Sequence, residues 1–375
     1  MIYLDNAATS FPKPQEVVQA VLRAFDEIGG NPGRSGHRLS LAAAEAVYDA
    51  RVTVARHIGA TDETHIVFFP NATYAINTVL RARVRPGNHI LISDLEHNSV
   101  RRPVLHLGKE GHYTTYSIFS HKGDVLENIR REIRPNTAIL ICTHVSNVFG
   151  TTLPIEEIGA LCREKGIFFI VDASQSMGHR ALDVERIDCD ALCAPGHKGL
   201  LGMQGSGFLY VRGADGLIDT YQGGSGSNSM SPYMPEELPD KLEPGTLSTP
   251  AILSLAAGIR WIEEHGLDEI EAKEQELSRR YHERLGNMKG VTLLSIPQNG
   301  IIAFRVDGMT SEEVAAQLDR AAICVRGGYH CAPLAHQARG TLDGGVVRLS
   351  CGVFNSFGEV EVFSHHMEQL IKNKR

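Results

Sequence analysis

The chain reads as an α/β protein: a large domain built on a mainly parallel, doubly wound sheet, with a smaller α+β domain at its C-terminal end. Three observations lead there. Short β-branched or aromatic runs at 66–69, 89–93, 138–143, 167–172, 190–194 and 207–211 alternate with longer helical patterns, the order expected of parallel strands joined by helices. The runs are continuously apolar rather than alternating, as in a sheet covered on both faces. After about residue 255 the texture changes to a long charged helical stretch over 254–287, strands near 301–306 and 346–350, and a final helix from Gly358.

Individual elements carry their own signals. In 154–165 a proline opens the helix, Ile155, Ile158 and Leu161 share one face, and Gly166 ends it. The segment 223–249 is rich in Gly, Ser and Pro and poor in apolar residues, and reads as an ordered loop at an active site or subunit contact. Expected boundaries are an N-terminal segment, 1–14, packing with the small domain, a large domain over 15–255, and a small domain over 256–375.

With 375 residues and 42% hydrophobic content the chain can bury a large core. A net charge of −7 with mixed signs argues against nucleic acid or an anionic membrane as main partner. No apolar run has the length of a membrane span and Met1-Ile-Tyr-Leu-Asp5 is not a secretory leader, so the expected location is cytoplasmic. The seven cysteines form neither a CxxC pair nor a zinc-like array, so no metal site is expected and the thiols are read as reduced.

Three segments carry chemistry. The strand ending Ile170-Val171-Asp172 and the following Pro195-Gly196-His197-Lys198 both belong at strand carboxyl ends, where a doubly wound sheet offers its ligand crevice. An Asp and a Lys presented there suit an aldehyde cofactor, with lysine as covalent anchor and the carboxylate partnering a pyridine nitrogen. Asn71-Ala72-Thr73 follows a strand and opens a helix, a setting that suits a phosphate monoester. Cys331, in Arg326-Gly-Gly-Tyr329-His330-Cys331, has glycines that free the backbone and an Arg and a His that favour thiolate. The plainer alternatives are an exposed loop lysine, an aspartate and a threonine capping helices, and a packed cysteine. The glycines of 199–207 lack G-x-G-x-x-G spacing, which sets a dinucleotide fold aside.

The motifs together resemble the cysteine desulfurases and selenocysteine lyases of the class V aminotransferase group, enzymes dependent on pyridoxal 5'-phosphate (PLP) with fold type I. Tyr3-Leu-Asp-Asn6-Ala-Ala-Thr9, Glu96-His97-Asn98, Val145-Ser-Asn147-Val-Phe-Gly150, Val171-Asp172-Ala-Ser-Gln175, Gly196-His197-Lys198, Glu243-Pro-Gly245-Thr246 and Arg326-Gly-Gly-Tyr-His-Cys331-Ala follow in the family's order. The resemblance implies that Lys198 holds PLP, Asp172 pairs with its ring nitrogen, Gln175 meets the ring hydroxyl and His97 stacks on the ring and shuttles protons. It places Asn147 beside the ring hydroxyl and the substrate carboxylate. It gives the phosphate to Ala72, Thr73 and His197, with Thr246 donated by the second subunit of a homodimer. Arg348 matches the arginine that clamps the substrate carboxylate, assisted by Arg326 and Asn355, and Arg34 and His37 resemble a segment near the neighbouring site. For His97 the plainer reading is a core histidine, for Asn147 a turn residue, and for Arg348 the solvent face of a strand.

The implied reaction takes L-cysteine, or L-selenocysteine, to alanine and leaves a persulfide on Cys331, for iron-sulfur cluster or thio-cofactor biosynthesis. The short cysteine loop looks like the compact group, which hands sulfur to an acceptor protein. Alternatives on the same scaffold are a selenocysteine lyase, a cysteine/cystine C-S lyase or another class V aminotransferase. A non-catalytic sulfur carrier is the reading from outside enzymes. Two residues depart from the family pattern: Pro195 replaces a serine that contacts phosphate, leaving the Gly196 or Ser206 amides to compensate, and Tyr329 stands where relatives have histidine.

Overall fold

The structure, a computed structural model, describes residues 1–33, 36–109 and 115–373. After the short β1 (Ile2–Tyr3) come α1 (Gln15–Asp26) and α2 (Arg38–His57). Then β2 (Ile66–Phe69), α3 (Ala72–Arg83), β3 (His89–Ser93), α4 (Asn98–Lys109), β4 (Thr115–Phe119), α5 (Val125–Glu132) and β5 (Thr137–Thr143) alternate. The series continues through α6 (Ile155–Lys165), β6 (Phe168–Asp172), α7 (Val184–Ile187), β7 (Ala191–Pro195) and β8 (Gly207–Val211).

Strands β2 to β8 form one seven-stranded sheet in the order β2-β8-β7-β6-β5-β3-β4. Only β8 is reversed, running antiparallel to both β7 and β2, so the expected mainly parallel sheet is present. The expected strands all occur within a residue of their ends, and β4 is an addition. Strands β3, β7 and β8 are buried along their whole length. One core on one face takes Val47 and Val54 of α2 and Ile158 and Leu161 of α6, and a second on the other face takes Ile76 and Val79 of α3 and Val104 of α4. The chain turns from β4, on one side of β3, to β5 on the other, so the carboxyl ends of β3, β5 and β6 border the crevice at the switch in strand order.

The long helical stretch is two helices, not one. Helix α8 (Thr249–His265) and α9 (Leu267–Gly286) are separated by Gly266 at φ +80°, a conformation that costs glycine little. The break sends the chain to a second body: Ile252, Leu255 and Ile259 of α8 join the sheet core, whereas Leu277, Tyr281 and Leu285 of α9 join a separate one. That body holds β9 (Val291–Leu293), β10 (Ile301–Val306), α10 (Ser311–Arg320), β11 (Ile323–Cys324), β12 (Val347–Ser350) and α12 (Phe357–Asn373), whereas α11 (Pro333–Arg339) sets Leu334 and Ala335 into the cores of the large sheet. The second body's antiparallel sheet runs β12-β10-β9, and β1 pairs in parallel with β11, bringing Leu4 into the same core. Among the described residues no helix is long and apolar enough to cross a membrane.

One buried ion pair fixes the loop ahead of α8. Glu243 accepts from both Nη1 and Nη2 of Arg51, at 3.2 and 2.7 Å, and from the Phe68 amide at 2.6 Å, all inside the protein. Removing one partner strands a buried charge. Glu243→Ala is therefore expected to lower unfolding free energy by about 3–5 kcal/mol, read as a lower urea midpoint, and Arg51→Met in the same chain should recover much of the loss.

Candidate active site

Asp172, Lys198, His97, Asn147, Arg348 and Cys331 line a single cleft of about 240 Å³ at the carboxyl edge of the sheet. Ala72, Thr73, Gln175, His197 and Arg326 line it as well. Each arrives on a different element: Asp172 ends β6, Lys198 follows β7, Asn147 follows β5, and Arg348 comes across from β12.

Burial sets the protonation states. Lys198 is half-buried, and desolvation pulls its ammonium down to about 8 against the opposing pull of Asp172. His97 is lowered to about 4 by burial, with Asp172 again opposing. The Ser99 amide donates to His97 Nδ1 at 3.0 Å. An amide can only donate, so the neutral ring carries its proton on Nε2. Gln175 Nε2 donates to the Ala7 carbonyl at 3.0 Å, and Asp172 Oδ1 accepts from the amide and hydroxyl of Ser174. Asp172 thus closes a local turn and faces the cleft at once.

At one end of the cleft α3 points its first turn inward. Asn71 caps it through Tyr74, 3.1 Å away, and the Ala72 and Thr73 amides precede the first intrahelical bond. His197, lowered to about 4 by burial, leaves Nδ1 buried with no hydrogen-bond partner among the described residues. Amides, a hydroxyl and an orphaned imidazole nitrogen make an anion cradle. The Gly196 amide does not take part, because it donates to Ser206 O at 2.8 Å, and Ser206 faces a different cavity. The expected compensation for Pro195 through Gly196 is thereby excluded.

At the other end Arg348 is only 2% exposed, contrary to a solvent-facing role. Its Nη1 donates to Asn147 O at 2.9 Å and its Nη2 to Asp5 Oδ1 at 2.6 Å, while Nε is buried without a partner among the described residues. Cys331 is the one exposed cysteine of the seven, all of which are described. Burial pushes Cys162 and Cys189 up to about 12 and raises Cys142, Cys193 and Cys351 as well. The loop geometry corrects one expectation. The positive φ values fall on Gly328 (+106°), His330 (+47°) and Cys331 (+56°), so glycine alone does not carry the turn. His330 is buried and lowered to about 3, with Nε2 donating to Val346 O at 3.2 Å, so it brings no positive charge to the thiol.

Three expected residues lie elsewhere, and a fourth is outside the described residues. Asn355 is saturated by Asn6, Tyr3, Gly352 and Glu359 and lies outside the cleft, because its amide ties the N-terminal segment to α12. His37 caps α2 by accepting from the Ser40 amide, away from the cleft. Arg34 is outside the described residues. Thr246 lines a separate, mostly apolar cavity of about 570 Å³ with Phe69, Tyr74, Tyr221 and Leu247. Asp5 and Ser99 were missed: Asp5 sits inside the recognised opening motif, and Ser99 two residues after His97.

A family model described as "Aminotransferase class-V" matches residues 2–363. The chain belongs to the class-V aminotransferase family. It is 34% identical over 380 residues to the "Probable cysteine desulfurase" of Methanothermobacter thermautotrophicus, covering 98% of this chain and 94% of that one. It is 33% identical over 346 residues to the "Cysteine desulfurase" of Salmonella agona, covering 88% and 84%. The apo structure of cysteine desulfurase from Thermococcus onnurineus NA1 matches with a TM-score of 0.93 at 34% identity, covering 99% of this chain and 95% of that one. This class-V aminotransferase thus has its fold in common with solved desulfurases, and its cleft offers an amine, a carboxylate and an anion cradle to one ligand.

The buried bases of this family member give a pH signature. His97, His144, His197 and His330 have folded values of about 4, 3, 4 and 3, against about 6.5 unfolded. Between those limits the unfolded chain binds more protons, so stability rises with pH and is lost on acidification. Glu96, raised by burial to about 8, opposes this, since its contribution is present at acid pH and lost as pH rises to 8. Four groups outweigh one. Unfolding free energy should fall from pH 6.5 toward 4.5 by up to about 1.4 kcal/mol per pH unit for each histidine, less one such slope for Glu96, measured by urea denaturation of the cofactor-free protein.

Proposed function

We propose that this protein is a PLP-dependent cysteine desulfurase that converts L-cysteine to L-alanine and receives the sulfur as a persulfide on Cys331. The observation that carries this is the exposed Cys331 thiol lining the same cleft as Lys198, Asp172 and Arg348. Transamination has no use for a thiol there.

PLP fits the residues present. The amides of Ala72 and Thr73, the Thr73 hydroxyl and the unpartnered His197 Nδ1 would take its phosphate, Lys198 its aldehyde carbon, and Asp172 its ring nitrogen. Gln175, Asn147 and His97 border the ring's place. When bound, PLP supplies a conjugated cation that accepts the electron pair released at the substrate α-carbon.

The remaining work belongs to the chain. Arg348, fixed by Asn147 O and Asp5, would orient the substrate α-carboxylate, a task for a planar fork of donors. Arg326, which lines the cleft and whose strand segment pairs with that of Arg348, supports the same end. Lys198 Nζ, neutral above about pH 8, takes the α-proton. His97 offers a proton from Nε2. Cys331 Sγ, as thiolate, bonds to the substrate sulfur; the Cβ–S bond breaks, its electron pair stays on Cβ, Cβ gains a proton, and Lys198 returns one to the α-carbon to complete alanine.

Thr246 contributes to the site only across a subunit boundary. Its mostly apolar cavity lies next to the Pro70–Asn71 turn that opens the phosphate cradle, and a second copy seated there would bring Thr246 to its partner's phosphate. The sulfur then passes to an acceptor protein at the exposed rim around Cys331.

Cys331→Ser should keep the visible band of bound PLP and lose both alanine formation and enzyme-bound persulfide in a single turnover with L-cysteine. Alanine and persulfide persisting in that variant would refute the assignment.

A further inference from the structure

The first ten residues do more than extend a sheet. Leu4 N donates to Cys324 O at 2.9 Å, Ser350 N to Leu4 O at 2.7 Å and Asn6 N to Ser350 O at 3.2 Å, so residues 4–6 lie along the end of β12. Asp5 pairs with Ser350 as an isolated parallel bridge. Arg348 is two residues earlier on that strand and therefore on the same face as Ser350, which places its guanidinium within reach of the Asp5 carboxylate, at 2.6 Å. The segment then crosses to the large sheet: Ala7 O accepts from Gln175, Thr9 Oγ1 donates to His197 O at 3.0 Å, and Ser10 Oγ donates to Lys198 O at 2.9 Å. Tyr3 closes the loop on itself, its hydroxyl donating to Thr9 O at 2.9 Å.

We propose that residues 3–10 form a clasp across the cleft and that Asp5, at its centre, is the positioning residue that aims Arg348 at the substrate carboxylate. The proposal deepens the desulfurase reading and rests on it. Arg348 is deeply buried and meets protein through two donors, one on the Asn147 carbonyl and one on Asp5. Those two bonds fix the plane of the guanidinium and leave Nε and the remaining N–H groups for a bidentate partner. With Asp5 gone, a buried cation keeps a single neutral acceptor and turns toward whatever oxygen is nearest. The loss falls on ligands that have a carboxylate and spares those that have only an amine.

The test uses PLP-loaded enzyme with Asp5→Ala and Asp5→Asn, circular dichroism verifying the fold of each. In Asp5→Ala, KM for L-cysteine should rise about tenfold or more with kcat changed less than about threefold. The dissociation constant for cysteamine, which has the amine and thiol but no carboxylate, should stay unchanged when read from the cofactor's visible band. Asp5→Asn keeps an acceptor oxygen and should restore KM to within about threefold of wild type. An unchanged or lower KM in Asp5→Ala would overturn the proposal, because Asp5 would then be idle or a competitor of the substrate. An equal loss of cysteamine affinity would overturn it too, by showing general distortion. If the wild type releases no alanine from L-cysteine, the desulfurase reading falls instead. Asp5 is then judged by the same band shift, with L-alanine against ethylamine.

Discussion

Everything in the cleft depends on holding two separate hydrophobic cores at a fixed distance, and hydrogen bonds from the N-terminal segment span that gap. One core supports Asp172 and Lys198 on the large sheet; the other supports Arg348 on β12. Residues 4–10 touch both, through Arg348 and Ser350 on one side and Gln175, His197 and Lys198 on the other. Asn355 belongs to this arrangement as well, since its amide donates to Tyr3 O at 3.0 Å and so secures the strand from which Asp5 projects. Asn355, read as a substrate ligand, instead secures the segment that holds Arg348.

The second governing effect is desolvation. Closing the cleft between two bodies keeps Lys198 and the surrounding imidazoles from their usual hydration, which favours their neutral forms. A neutral lysine is the form able to attack a carbonyl carbon or accept a proton, so burial and reactivity have the same origin. The cysteines obey the same rule with the opposite result: buried thiols are held protonated and inert, and Cys331 is set apart by exposure.

Exposure of Cys331 has a conformational cost. Two consecutive non-glycine residues, His330 and Cys331, occupy the left-handed region, at about 1–3 kcal/mol each. The turn is held from several directions: Asn147 Nδ2 donates to His330 O at 2.7 Å, Asn98 N to Cys331 O at 2.7 Å, and Ala332 N to Tyr329 O at 3.0 Å. Tyr329, where the family pattern has histidine, fastens the loop from outside by donating to Leu342 O at 2.8 Å. The thiol is therefore presented by a fixed turn whose supports include the same Asn147 that steadies Arg348.

The strands of the large sheet, the helix start at Asn71 and the meeting of Asp172 and Lys198 in one cleft were legible in the sequence, because each is a local matter. An apolar run makes a covered strand, an Asn-Ala-Thr step opens a helix, and residues at strand ends face a crevice. The reversed β8 and the division of 254–287 at Gly266 were not, since strand direction and core membership depend on partners distant in the chain. Asp5 and Asn355 show the limit most clearly. Their side chains are ordinary polar groups in sequence, and their opposite roles follow from 343- and 352-residue separations closed only by folding. The sequence by itself determined the chemical groups and the element that carries each. The tertiary structure alone decided which are neutral, which are exposed and which meet, because burial and long-range pairing are properties of the packed chain.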